Sequence, residues 1–128
     1  MFDAATDEVT RAIQETVKDY FQGYLKAEPE TLLKAFHVEA RLYSTDEGSL
    51  EKTEMADWLL NLRERREKGD IRQAEVRISG IDVTGDAAIA KTILRFSKFE
   101  FTDYLSLLQI QGTWKIVNKI YTIKKFES

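Results

Sequence analysis

The period of the apolar residues changes at Gly69. Before it they recur every three to four positions, with one short interruption; from Ile71 onward they alternate. A helix buries a stripe of period 3.6 and a strand buries every second residue, so this order predicts helices first and strands after them. Segregation of that kind defines an α+β architecture, with three N-terminal helices packed on one face of a strongly curved, mainly antiparallel sheet. Val9, Ile13, Thr16, Val17, Tyr20 and Tyr24 line the first helix, flanked by Phe21 and Leu25. Thr6 is its expected N-cap, and Asp7 and Glu8 complement the dipole of its first turn. Pro29 opens a short second helix that turns Leu32, Leu33 and Phe36 inward and ends near His37. Ala40 to Thr45 reads as a short strand closed by a turn at Asp46-Glu47-Gly48-Ser49. Thr53 then caps a third helix with Met55, Trp58, Leu59 and Leu62 inward, stopped by Gly69.

The alternating half predicts four strands in a meander. Ala74, Val76 and Ile78 mark the first face, and Ala88, Ala90, Thr92 and Leu94 the second, with a turn at Thr84-Gly85-Asp86. The last pair turns at Gln111-Gly112. Pairing Ile110 with Thr113 sets Leu107 against Ile116, Leu105 against Asn118 and Asp103 against Ile120, unless a bulge reverses part of the register. The face with Phe101, Asp103, Leu105, Leu107, Gln109, Trp114, Ile116, Asn118 and Ile120 is the more apolar and is expected under the helices. Asp103 and Asn118 then sit among apolar neighbours, where unpaired polar groups cost a few kcal/mol. They must bind each other, water, a helix residue or a ligand. The opposite face carries Tyr104, Leu108, Ile110, Val117 and Tyr121, interrupted by Lys115 and Lys119. Such a face is expected to form a homodimer interface, sheet against sheet.

A chain of 128 residues with 43% hydrophobic and 32% charged residues suits one domain, 1–128, able to bury its own core. It has no cysteine, which removes disulfides, thiol catalysis and thiolate metal sites. One histidine leaves only carboxylates as other strong ligands, so no metal site and no cofactor are expected. A net charge of −3 argues against nucleic acid as the main partner. The run from Arg63 to Lys68 is charge-mixed and reads as a solvated helix end. No membrane-length apolar run and no secretory pattern at the N-terminus are present, and the expected compartment is the cytoplasm.

Two segments carry a family resemblance. KAFHVEARLY, residues 34–43, resembles the F-H-x-x-A step from helix into strand of a family of small bacterial proteins labelled putative lumazine-binding. FTDYL, residues 101–105, with WKIVNKIY, residues 114–121, resembles its final hairpin. The order of elements extends the likeness to the nuclear-transport-factor-2-like superfamily, which includes polyketide-cyclase-like and ketosteroid-isomerase-like proteins. That resemblance implies a cystatin-like cone around a pocket. It does not imply one reaction, because the fold hosts isomerases, cyclases, dehydratases and proteins without catalysis.

Asp103 is the first candidate for chemistry, since a carboxylate in an apolar pocket suits proton transfer. The resemblance to ketosteroid isomerase points the same way, as that enzyme uses a pocket carboxylate as base. Tyr20 is the preferred hydroxyl donor beside it, and His37 a pocket-mouth acid or base. Asn118, Tyr24, Tyr43, Trp58, Leu105 and Phe101 complete the expected ligand pocket. The plain alternative for each is structural: a paired aspartate, a helix-capping histidine, core aromatics. Two functions therefore stand at this point. One is a protein binding a small apolar or aromatic ligand, with or without cofactor-free isomerase, cyclase or dehydratase activity. The other is a non-catalytic dimeric module.

Overall fold

The computed structural model describes residues 4–127, and their side chains from Glu8 onward. Helix α1 (Ala4–Leu25) and helix α2 (Pro29–Ala35) are followed by strands β1 (Phe36–Asp46) and β2 (Ser49–Glu54), then helix α3 (Met55–Glu67). Strands β3 (Glu75–Thr84), β4 (Ala87–Arg95), β5 (Phe99–Ile110) and β6 (Thr113–Lys125) close the chain. The six strands form one sheet in the order β2-β1-β6-β5-β4-β3. All neighbours run antiparallel except β1 and β6, which are parallel. Ile13, Val17 and Tyr20 of α1, Leu32 of α2, and Trp58 and Leu62 of α3 meet Ala90, Leu94, Leu105, Leu107 and Ile116 of the sheet in one core.

The three expected helices are present, but α2 stops at Ala35, so Phe36, expected in its inner stripe, is instead the first, buried residue of β1. Thr6 is already inside α1, which begins at Ala4, so it is not the N-cap. Gly69 takes φ +68 just after α3 and ends it, with its N–H donating to the Arg66 carbonyl. The early strand is longer than expected, running from Phe36, and it pairs with a strand that periodicity did not reveal. SLEKTE, residues 49–54, is an edge strand with Leu50 as its lone large apolar residue and no fully buried position. Charged edge strands guard against further pairing, and their composition hides them from a hydrophobic pattern. Thr53 lies in this strand; Glu54 precedes α3 and makes no side-chain cap.

Two of the three two-residue hairpins place two successive residues at positive φ: Glu47 and Gly48 at 48° and 83°, Gln111 and Gly112 at 50° and 82°. That geometry matches the right-handed twist of the flanking strands. Two register shifts then matter. One, between Ile78 and Gly80 on β3, brings Ile81 and Val83 onto the same core-facing side as Ile78. The other lies on β6 and decides the site.

Gly23 sits where α1 crosses α2. A Cβ there would lie 2.6 Å from the Leu32 backbone nitrogen. Backbone cannot yield as a side chain does, so Gly23→Ala is expected to destabilise by about 1–3 kcal/mol, read as a lower urea midpoint with unchanged slope.

Candidate functional site

The β5–β6 register agrees with the expectation from the turn as far as Leu107 and Ile116, which pair. Ser106 then pairs with Asn118, so Val117 is an extra residue and every later position on β6 changes face. Lys119 pairs with Leu105, Ile120 with Tyr104, and Tyr121 with Asp103. Lys119 is therefore buried, at 6% exposure, while Ile120 stands outside at 49%. Asn118 lies beside Ser106 and Arg41 rather than beside Asp103.

Thr92, Asp103 and Tyr121 are direct cross-strand neighbours on β4, β5 and β6. Tyr20 reaches this row from α1. Its hydroxyl donates to Asp103 Oδ2 at 2.5 Å, and the Thr92 hydroxyl donates to the same oxygen at 3.0 Å. Lys119 Nζ donates to the Tyr20 oxygen at 2.8 Å and lies 3.9 Å from Asp103 Oδ1. That second carboxylate oxygen is buried and accepts no hydrogen bond. Around Lys119 stand the rings of Tyr20, Trp58 and Tyr121, with Nζ 4.8, 4.9 and 4.9 Å from their centroids, and Tyr24 at 5.7 Å. Four aromatic faces offer an ammonium electrostatic attraction in place of water.

Burial pushes the Lys119 amine below the usual lysine range, and the Asp103 charge opposes that push only in part. Tyr20 moves the other way. Burial, and next the charge and hydrogen bond of Asp103, hold its hydroxyl well above the ordinary tyrosine range, so it stays a phenol. Tyr24 is also raised, first by burial, with Arg72 opposing. The Arg72 guanidinium donates to the Tyr24 hydroxyl at 3.0 Å and links the cluster to the surface.

Of the residues singled out in the sequence, Asp103, Tyr20, Tyr24, Trp58, Leu105 and Phe101 lie together in or against this interior. Three do not. His37 is on β1, where Nδ1 accepts a local hydrogen bond from the Glu39 N–H at 3.0 Å. Tyr43 lines a depression of about 310 Å³ on the outer sheet face with Leu50, Tyr104 and Ile120. Asn118 is placed beyond the bulge, as described. Lys119 and Tyr121, expected on the outer, dimer-forming face, turn inward. Strict alternation missed both, and the available signal was electrostatic: a buried carboxylate calls for a cation, and Lys119 was the one lysine a single bulge would bring to it. The interior is packed rather than open. Tyr20, Phe36, Trp58 and Leu105 fill it, and Asp103 pairs internally.

Another correction concerns Arg65, in the run read as solvated. It is buried and donates to the carbonyls of Tyr24 at 2.7 Å, Leu25 at 3.3 Å and Asp70 at 3.2 Å.

Comparison with known proteins places this architecture. The model of the family described as "Putative lumazine-binding" matches residues 8–122, nearly the whole chain. The chain belongs to that family. Its solved relatives carry the nuclear-transport-factor-2-like fold. A protein of unknown function from Shewanella baltica OS155 is 26% identical with a TM-score of 0.80, covering 97% of this chain and 98% of its own. One from Silicibacter pomeroyi DSS-3 is 24% identical with a TM-score of 0.81, covering 93% and 98%. A protein from Shewanella frigidimarina NCIMB 400, described as a putative ketosteroid isomerase, has a TM-score of 0.62 at 16% identity, covering 87% and 94%. Among curated proteins, the aldolase FrzH of Cladobotryum sp. is 24% identical over 112 residues, 86% of this lumazine-binding-family chain and 87% of FrzH. Among the described residues no helix is long and apolar enough to cross a membrane, and no group of three or more His, Cys, Asp or Glu is placed to hold a metal ion.

Proposed function

We propose that this chain binds a small carbonyl compound beside Asp103 and catalyses proton transfer at the carbon next to the carbonyl, the step shared by isomerases and aldolases. The observation that carries this reading is the unpaired Asp103 Oδ1. Nearly all buried polar atoms find partners, and an orphan oxygen beside a desolvated amine is costly to keep without use. Tyr20 and Thr92 fix the carboxylate through Oδ2, which leaves Oδ1 as the base. Lys119, whose Nζ bonds only to Tyr20 and lies 3.9 Å from Oδ1, is placed to engage the carbonyl group, while Tyr20 stays protonated toward Asp103. The likeness to FrzH and to the isomerase-like fold supports this reaction class. Entry requires the half-buried rings of Phe101 and Tyr121 to swing from the closed interior.

The test is deuterium uptake by cyclohexanone and phenylacetone in heavy water, followed by NMR. The protein is expected to accelerate exchange next to the carbonyl, and Asp103→Asn to cut that acceleration by about 100-fold or more, the usual share of a general base. No acceleration with either ketone would count against the reading.

The closed interior itself favours a second reading, in which the polar cluster only satisfies itself and the chain is a dimeric module. The outer face keeps Tyr104, Leu108, Ile110 and Ile120 exposed, next to the Tyr43–Leu50 depression. We propose that two copies pair through this corrected face, without Lys119 and Tyr121. Sedimentation is expected to give a dimer at micromolar concentration, and Ile120→Lys a monomer; a monomeric parent chain sinks the idea.

A further inference from the structure

We infer that Lys119 is a nucleophile that binds its carbonyl substrate covalently, as an imine, within the ring of Tyr20, Tyr24, Trp58 and Tyr121. The inference rests on the proton-transfer reading above and deepens it, naming a ketone or aldehyde with an apolar body as the substrate class.

The geometry around Nζ carries it. Tyr20 has one proton, and at 2.5 Å that proton goes to Asp103 Oδ2. The Tyr20 oxygen therefore accepts from Lys119, and nothing on that side binds the lone pair of a neutral amine. Lys119 makes no other hydrogen bond, and its Asp103 contact is 3.9 Å, too long for one. An ammonium here forgoes most of its hydration, which the ring faces and the carboxylate at 3.9 Å offset only in part, whereas an amine needs only the single acceptor it has. Burial accordingly favours the neutral, nucleophilic form. The aromatic faces exclude water, which protects an imine from hydrolysis, and they attract the positive charge of its protonated form.

The step balances without any outside reagent. The nitrogen lone pair forms the N–C bond as the C=O π pair moves to oxygen, which takes a proton while the nitrogen gives one up. The carbinolamine oxygen takes a proton from the aqueous medium and leaves as water, giving an iminium ion, and Asp103 later returns to the medium the proton it removes. Asp103 Oδ1 then removes the proton from the adjacent carbon, and the C–H electron pair forms the enamine C=C bond as the iminium π pair returns to nitrogen. The orphan oxygen and the caged amine thus serve consecutive steps.

The test is reductive trapping of the full chain with phenylacetone and cyanoborohydride near pH 7, read by intact mass and peptide mapping. The expected product is one adduct per chain, equal to the ketone less one oxygen, on Lys119. Its labelling should exceed that of the exposed Lys18 and Lys52 by about tenfold or more. Lys119→Met, checked for folding by circular dichroism, should show no such adduct. Trapped protein should also lose its deuterium exchange activity. Labelling spread evenly over exposed lysines overturns the inference. Exchange without an adduct on Lys119 overturns the imine but leaves the proton-transfer reading standing; neither exchange nor adduct overturns both.

Discussion

Asp103→Leu is expected to lower stability by about 3–5 kcal/mol, the range for breaking a buried polar pair from one side. The substitution removes the acceptor of Tyr20 and Thr92 and leaves two buried hydroxyls without their bonds. It also removes the carboxylate 3.9 Å from the Lys119 amine. Lys119→Met is expected to cost far less, because the carboxylate is held by the two hydroxyls and not by the lysine. Lys119 should instead write itself into the pH dependence. Its folded pKa is depressed below the unfolded value of about 10.4, so between the two the unfolded chain binds more protons. Stability attributable to this group is therefore fully present above about pH 10.4 and is lost as pH falls through the folded pKa. Urea denaturation across neutral to alkaline pH, comparing the parent chain with Lys119→Met, isolates that slope. Equal stability of Asp103→Leu and the parent would mean that the cluster holds nothing together.

The second large effect is expected at Arg65, at about 3 kcal/mol or more for Arg65→Ala. Its guanidinium ties α3 to the end of α1 through the carbonyls of Tyr24 and Leu25, and closes the α3 C-terminus through Asp70. The Tyr24 and Leu25 carbonyls also accept from the Ala27 and Arg72 N–H groups, at 3.4 and 2.9 Å, so the cost falls on the lost guanidinium bonds and on the cavity the side chain leaves. Arg65→Lys should recover little, since a point charge cannot span three acceptors that a planar fork reaches at once. Because Tyr24 lies under the same guanidinium, at 5.3 Å, the loss should also loosen the wall of the Lys119 cage. Thermal denaturation of the two variants beside the parent checks both claims; rescue by lysine would show that charge alone sufficed.

The helical half was the most legible. Each helix buries a regular stripe, and the same residues that recur in sequence meet in the core. The edge strand Ser49–Glu54 was not legible, because it buries no full position and so leaves no pattern. Arg65 was hidden for the opposite reason. A charge run looks solvated in sequence, yet one member of it is drawn inward by backbone acceptors that no composition displays.

By itself the sequence determined the α+β order, the turn at Gln111-Gly112 and the presence of Asp103 and Tyr20 on inner faces, since these follow from local period and turn chemistry. Tertiary structure alone decided the partners of Asp103. One extra residue at Val117 turns Lys119 inward and Asn118 outward. The bulge sits where β1 runs parallel beside β6, and beyond it Asp103 lies across from Tyr121. Alternation along a single strand contains no record of what the neighbouring strands and helix require of it, so the amine that completes the site became visible only when they were assembled around it.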